Sequence, residues 1–99
     1  MRYTVVWERG ATRDLAVRWG RGEPRERRTI DAVVTLLDRT LLNDPDRVGE
    51  PVPDTDSPAR HLRLWEPETE GRTAYVPFDV RPDDRIVEVI RVSIPLGVD

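Results

Sequence analysis

The stretch ARHLRLWEPETEGRTAYVPFDVRPDDRIVEVIRVSI, residues 59–94, decides the fold. It holds three apolar-rich segments, 61–66, 72–80 and 85–94, with a short break after each of the first two. The first break carries Pro67 early and closes on Gly71. The second is Arg81-Pro82-Asp83-Asp84, where proline fixes φ and the acids can bond local backbone N–H groups. Breaks of this length join antiparallel neighbours, because a parallel return needs a long crossover. The expectation is a three-stranded antiparallel meander. Pro77 removes a ladder donor, which predicts a bulge or an edge position in the middle segment. The last segment is apolar on both faces except at Glu88, Arg91 and Ser93, the pattern of a central strand.

Working outward, residues 2–7 alternate, with Tyr3, Val5 and Trp7 on one face and Thr4 and Val6 on the other, so a strand is expected. The period then changes. Ala11, Leu15 and Trp19 recur every fourth residue, and Gly20 and Gly22 follow, which predicts a helix over about residues 9–19. Pro24 suits the first turn of a second helix, with Glu23 and Glu26 near its positive end. Ile30, Val33, Val34, Leu37 and Leu41 form its apolar stripe, and Asn43-Asp44-Pro45 ends it. Residues 47–59, rich in proline and aspartate, read as a loop. The fold class is α+β: a two-helix hairpin packed on one face of a small, mainly antiparallel sheet, in the order β-α-α-β-β-β. Residues 1–99 are expected to form one domain. Two helices cover only one face, so the other is expected to stay open and to show His61, Arg63, Trp65 and Tyr75, together with Arg91. An uncovered apolar face is the mark of an interface.

All 16 basic residues are arginine, so every cation is a planar fork suited to phosphate or carboxylate. Residues 1–40 hold nine arginines against six acids, and residues 41–99 hold seven against 13. An acidic chain is a poor general nucleic-acid binder, and any phosphate contact has to come from a local arginine cluster. Arg21, Arg25, Arg27 and Arg28 make such a cluster at the turn between the helices. It reads either as a solvated corner or as a contact surface for nucleic acid or an acidic partner. With no cysteine and one histidine, neither disulfides, a thiolate site nor a multi-histidine metal site is expected, and no cofactor is implied. No apolar run approaches the ~20 residues that span a bilayer, and no signal-peptide pattern is evident, so a soluble, cytoplasmic protein is expected.

The local wording carries a resemblance. Tyr3-Thr4-Val5-Val6-Trp7 followed by Arg13-Asp14-Leu15-Ala16, the run Asp44-Pro45-Asp46-Arg47-Val48-Gly49-Glu50, and Phe78-Asp79-Val80-Arg81-Pro82-Asp83-Asp84-Arg85-Ile86-Val87-Glu88-Val89-Ile90-Arg91-Val92 together resemble the RelE/ParE superfamily of toxins from bacterial type II toxin–antitoxin modules. The resemblance implies a toxin that stops growth and is silenced by a cognate antitoxin bound as a helix or an added strand. Such modules act in plasmid stabilization. RelE-like members cut mRNA on the ribosome, whereas ParE-like members inhibit DNA gyrase by binding alone. A toxin-fold binding module without toxicity is a third reading, and a homodimer through the open face is a rival to antitoxin binding.

Ribonuclease chemistry needs a proton acceptor for the 2′-hydroxyl, cations for the phosphate and an acid for the leaving oxygen. His61, Arg63, Arg72 and Arg91 are the candidate catalytic set for the nuclease reading, since His61 is the only side chain titrating naturally near neutral pH. Trp65, Tyr75 and Arg60 are the candidate partner-binding residues. The RelE pattern implies an arginine where Tyr75 aligns and a basic residue where Pro95 stands, so the family's catalytic set is incomplete and binding to gyrase is favoured.

Overall fold

The computed structural model describes residues 2–52, 62–69 and 71–95. Strand β1 is Thr4–Trp7, helices α1 and α2 are Arg9–Arg21 and Pro24–Leu41, and a 3-10 turn follows at Pro45–Arg47. Strands β2 (Glu50–Pro51), β3 (Leu62–Trp65), β4 (Glu68–Thr69), β5 (Arg72–Thr73), β6 (Val76–Arg81) and β7 (Ile86–Val89) complete the order. Five of the strands form one sheet, β1-β7-β6-β3-β2, in which β1 runs parallel to β7 and the other pairs are antiparallel. The expected α+β architecture and the β3-β6-β7 meander are therefore present, with β7 internal as its composition implies.

The core forms between the helices and one sheet face. The α2 residues Ile30, Val33, Leu37 and Leu41 meet Val76, Phe78 and Val80 of β6 and Val87 and Val89 of β7, all buried. The α2 start follows its sequence: Pro24 takes the first turn, and Glu23 and Glu26 satisfy each other's backbone N–H groups in a capping box. Helix α1 is thinner, burying Ala11 and Leu15, while Trp19 at the third position of its stripe is 40% exposed. The indole is held from outside. Arg27 lies over its ring at 4.4 Å, and its Nε1 donates to Asp31 at 3.0 Å. Arg27 also donates to the carbonyls of Trp19 (2.9 Å) and Gly20 (3.3 Å), placing a cation on the negative end of α1. Arg27→Ala is therefore expected to destabilise the protein by about 1–2 kcal/mol, read as a shifted urea midpoint with an unchanged slope.

The strand expected over residues 72–80 is two strands. Gly71, at φ 73°, turns β4 back onto β5 as a separate hairpin, and Ala74 leaves it to bond the Pro67 carbonyl at 2.8 Å before β6 begins. Pro77 sits in a strand with neighbours on both sides, so of the two options it marks a bulge. Phe78 pairs with Val89, yet Tyr75 pairs with Ser93, so the last strand carries one extra residue between those pairs. Pro77 accepts from Ile90 N–H at 3.0 Å and has no N–H to return. The extra residue inverts the side-chain alternation, which is why Val92 and Ile94 rejoin Val87 and Val89 in the core.

Candidate partner-binding site

The open sheet face differs from the expected one. Cross-strand partners share a face, and β3 pairs Arg63 with Phe78 and Trp65 with Val76. Both residues thus lie on the core side, and it is Leu62 and Leu64, opposite Asp79 and Pro77, that face outward. A strand read one residue out of phase exchanges its two faces completely. Arg63 is tolerated on the core side because it is only half-buried and its guanidinium is held by backbone: Nε donates to Val48 O at 2.7 Å and Nη2 to Gly49 O at 2.9 Å. Trp65 packs half-buried against the core. Tyr75 is on the open face as expected, 45% exposed. Arg91 is exposed beside α1, near Glu8 and Asp14, and Arg72 donates to the Pro95 carbonyl at 2.7 Å. His61 and Arg60 lie outside the described residues. Among the described candidates, the pairing separates Arg63 from Tyr75 by the thickness of the sheet, and only Arg91 has a guanidinium without a bonded partner.

The electrostatics of the open face follow from β6 and β7. Arg81 lies 3.4 Å from the Asp79 carboxylate and 3.2 Å from that of Glu88. These charged groups are flanked by Leu62, Leu64, Pro77, Ile86 and Ile90. A polypeptide with apolar side chains fits such a surface. Among the described residues no cluster of acidic or histidine side chains has the geometry to hold a metal ion, and no described helix is long and apolar enough to cross a membrane.

A second surface answers to the added strand expected of an antitoxin, whose edge the residues alone did not locate. Strand β1 is an edge. Thr4 and Glu8 donate to Arg85 O (2.8 Å) and Val89 O (2.9 Å) on the β7 side. Since alternate residues of a strand point their N–H groups in opposite directions, those of Val5 and Trp7 turn outward. Tyr3, with the same outward orientation, reaches Leu42 O at 2.8 Å, and beyond it no described residue pairs with this edge. Edges are ordinarily guarded by charge, proline or a bulge, and Val5-Val6-Trp7 has none of these. Beside the edge, Val6, Trp7, Thr12, Leu15 and Val34 line an apolar groove of about 580 Å³. The signal available in the sequence was Val6, an apolar residue on the face of β1 opposite Tyr3, Val5 and Trp7.

The fold has a solved counterpart. One chain in the crystal structure of the toxin–antitoxin complex RelBE2 from Mycobacterium tuberculosis superposes with a TM-score of 0.65, over 98% of this chain and 95% of that one, at 23% sequence identity. At that identity the likeness is one of fold. No protein-family model matches the sequence, and no curated protein matches it.

Proposed function

We propose that this chain is the toxin of a type II toxin–antitoxin module, that it inhibits growth by binding an essential target, and that an antitoxin neutralises it. The observation that carries the reading is the fold held in common with a chain of a toxin–antitoxin complex over almost the full length, taken with an edge strand that no described residue covers by pairing beyond Tyr3, beside an apolar groove. An extended segment of the antitoxin adds to β1 through the outward groups of Val5 and Trp7 and places apolar side chains in the groove. Tyr75, Leu62 and Leu64 offer the target a separate, mainly apolar surface. Binding without hydrolysis, in the manner of gyrase inhibition, is favoured over ribosome-dependent mRNA cleavage because Arg63 and Arg72 are spent on backbone carbonyls.

The test has two arms. Expressed alone, the chain is expected to arrest growth, and co-expression with the antitoxin is expected to restore it; no arrest would leave a binding module without toxicity. In a translating lysate, transcripts are expected to stay intact while purified gyrase loses supercoiling activity. Transcripts cut at codons, with cutting abolished by His61→Ala or Arg91→Ala, would establish the nuclease instead. Those two variants are preferred to Arg63→Ala, which also removes the bonds to Val48 and Gly49. For the edge, Val6→Lys with Thr12→Arg places two cations at exposed positions of the groove and is expected to weaken antitoxin binding about 100-fold by calorimetry. An unchanged affinity would move the antitoxin to another surface.

A further inference from the structure

The corner between α1 and α2 is used neither by the core nor by the proposed antitoxin groove. Its arginines divide into two kinds. Arg27 is structural, stacked on Trp19 and bonded to the end of α1. Arg21, Arg25 and Arg28 are exposed, and among the described residues they have no hydrogen-bond or ion-pair partner. Arg25 and Arg28 are three apart on α2 and so share one side of it, with Arg21 ending α1 only a two-residue turn away. The neighbouring acids are occupied: Glu23 and Glu26 cap α2, and Asp31 accepts from the Trp19 indole.

We propose that this corner binds single-stranded nucleic acid, with Arg21, Arg25 and Arg28 contacting the phosphates and the exposed Trp19 stacking a base. Guanidinium forks suit phosphate and carboxylate alike, and two further features select this ligand over an acidic peptide. Trp19 keeps 40% of its surface in solvent while Arg27 braces its ring, which gives a planar platform at little cost in side-chain entropy. The corner is the outer end of a helical hairpin, which offers a backbone track without the edge strand that an extended peptide would need. The cations also sit in the part of the chain, residues 1–40, where arginines outnumber acids.

The purified chain, without antitoxin, is titrated against a fluorescein-labelled single-stranded RNA 12-mer, DNA of the same sequence and a polyglutamate peptide of equal charge, over a series of salt concentrations. Oligonucleotide binding at least tenfold tighter than the peptide, with quenching of tryptophan emission, is expected; whether RNA or DNA binds better identifies the sugar contacted. Arg25→Gln with Arg28→Gln should lower the affinity about tenfold and flatten the log–log salt slope by about 1.4, two phosphate contacts at about 0.7 each. Trp19→Phe should remove most of the quenching while retaining the salt slope, and circular dichroism melts establish that the variants are folded. The Val6→Lys, Thr12→Arg protein should bind the oligonucleotide at least as well as the parent, so failure here and failure of the antitoxin reading are separable. The absence of oligonucleotide binding, equal or tighter peptide binding, or an affinity and slope indifferent to Arg25 and Arg28 would overturn the proposal.

Discussion

Phe78→Ala is expected to cost about 3–5 kcal/mol, the range for emptying a fully buried aromatic site. Phe78 has no exposed surface, lies at the middle of β6, and pairs with Arg63 on one side and Val89 on the other. Its ring fills the centre of the layer between sheet and helices, where collapse is hardest because the strands on both sides are hydrogen-bonded in place. A small domain has only about 5–15 kcal/mol of net stability, so the variant should melt many degrees lower or be unfolded at 37 °C. Chemical denaturation monitored by far-UV circular dichroism decides it. A loss below about 1.5 kcal/mol would mean that the core repacks and is looser than described.

The second large effect is at Gly49. Its φ is 69°, and a Cβ at this position would stand 2.1 Å from the carbonyl oxygen of Leu64. Gly49→Ala therefore combines the strain of a left-handed backbone, about 1–2 kcal/mol, with a collision against main chain that no rotamer relieves. About 3 kcal/mol in total is expected. The turn also feeds β2 onto β3 and presents the two carbonyls that hold Arg63, so relief of the clash releases that guanidinium. Gly71→Ala is the control. Gly71 has a similar φ of 73°, but a Cβ there would meet nothing within 4 Å, so only the backbone strain should appear. Equal losses at the two sites would show that the Leu64 contact is relieved without cost.

The contrast between what the residues foretold and what they concealed is physical. Both helices were legible because each states its own period and its own ends: the stripe from Ile30 to Leu41 and the Glu23-Pro24-Glu26 start need no information from elsewhere. The meander was legible from its breaks, and Pro77 announced the bulge. The face of β3 was not. His61-Leu62-Arg63-Leu64-Trp65 reads equally well in either phase, and the choice was made by pairing with β6 and by carbonyls from residues 48 and 49, distant in sequence. The same holds for the site. Tyr75 was placed by alternation alone, whereas the groove beside β1 exists only because α1, α2 and an edge strand meet there. Trp19, assigned by spacing to a buried stripe, was drawn outward by Arg27 and Asp31, partners from the next helix.

The pairing of β1 with β7 has a further consequence for synthesis. Thr4 finds its sheet neighbour in Ile86, so the earliest strand made waits for nearly the latest. Closing so long a loop is entropically costly and slow. Until residues 86–89 have emerged, a growing chain can form its helical hairpin but has no slot in which to seat Val5 and Trp7. A message broken before those codons would thus give a product that lacks β7, the strand joining β1 to the rest of the sheet, and so has no fixed docking edge.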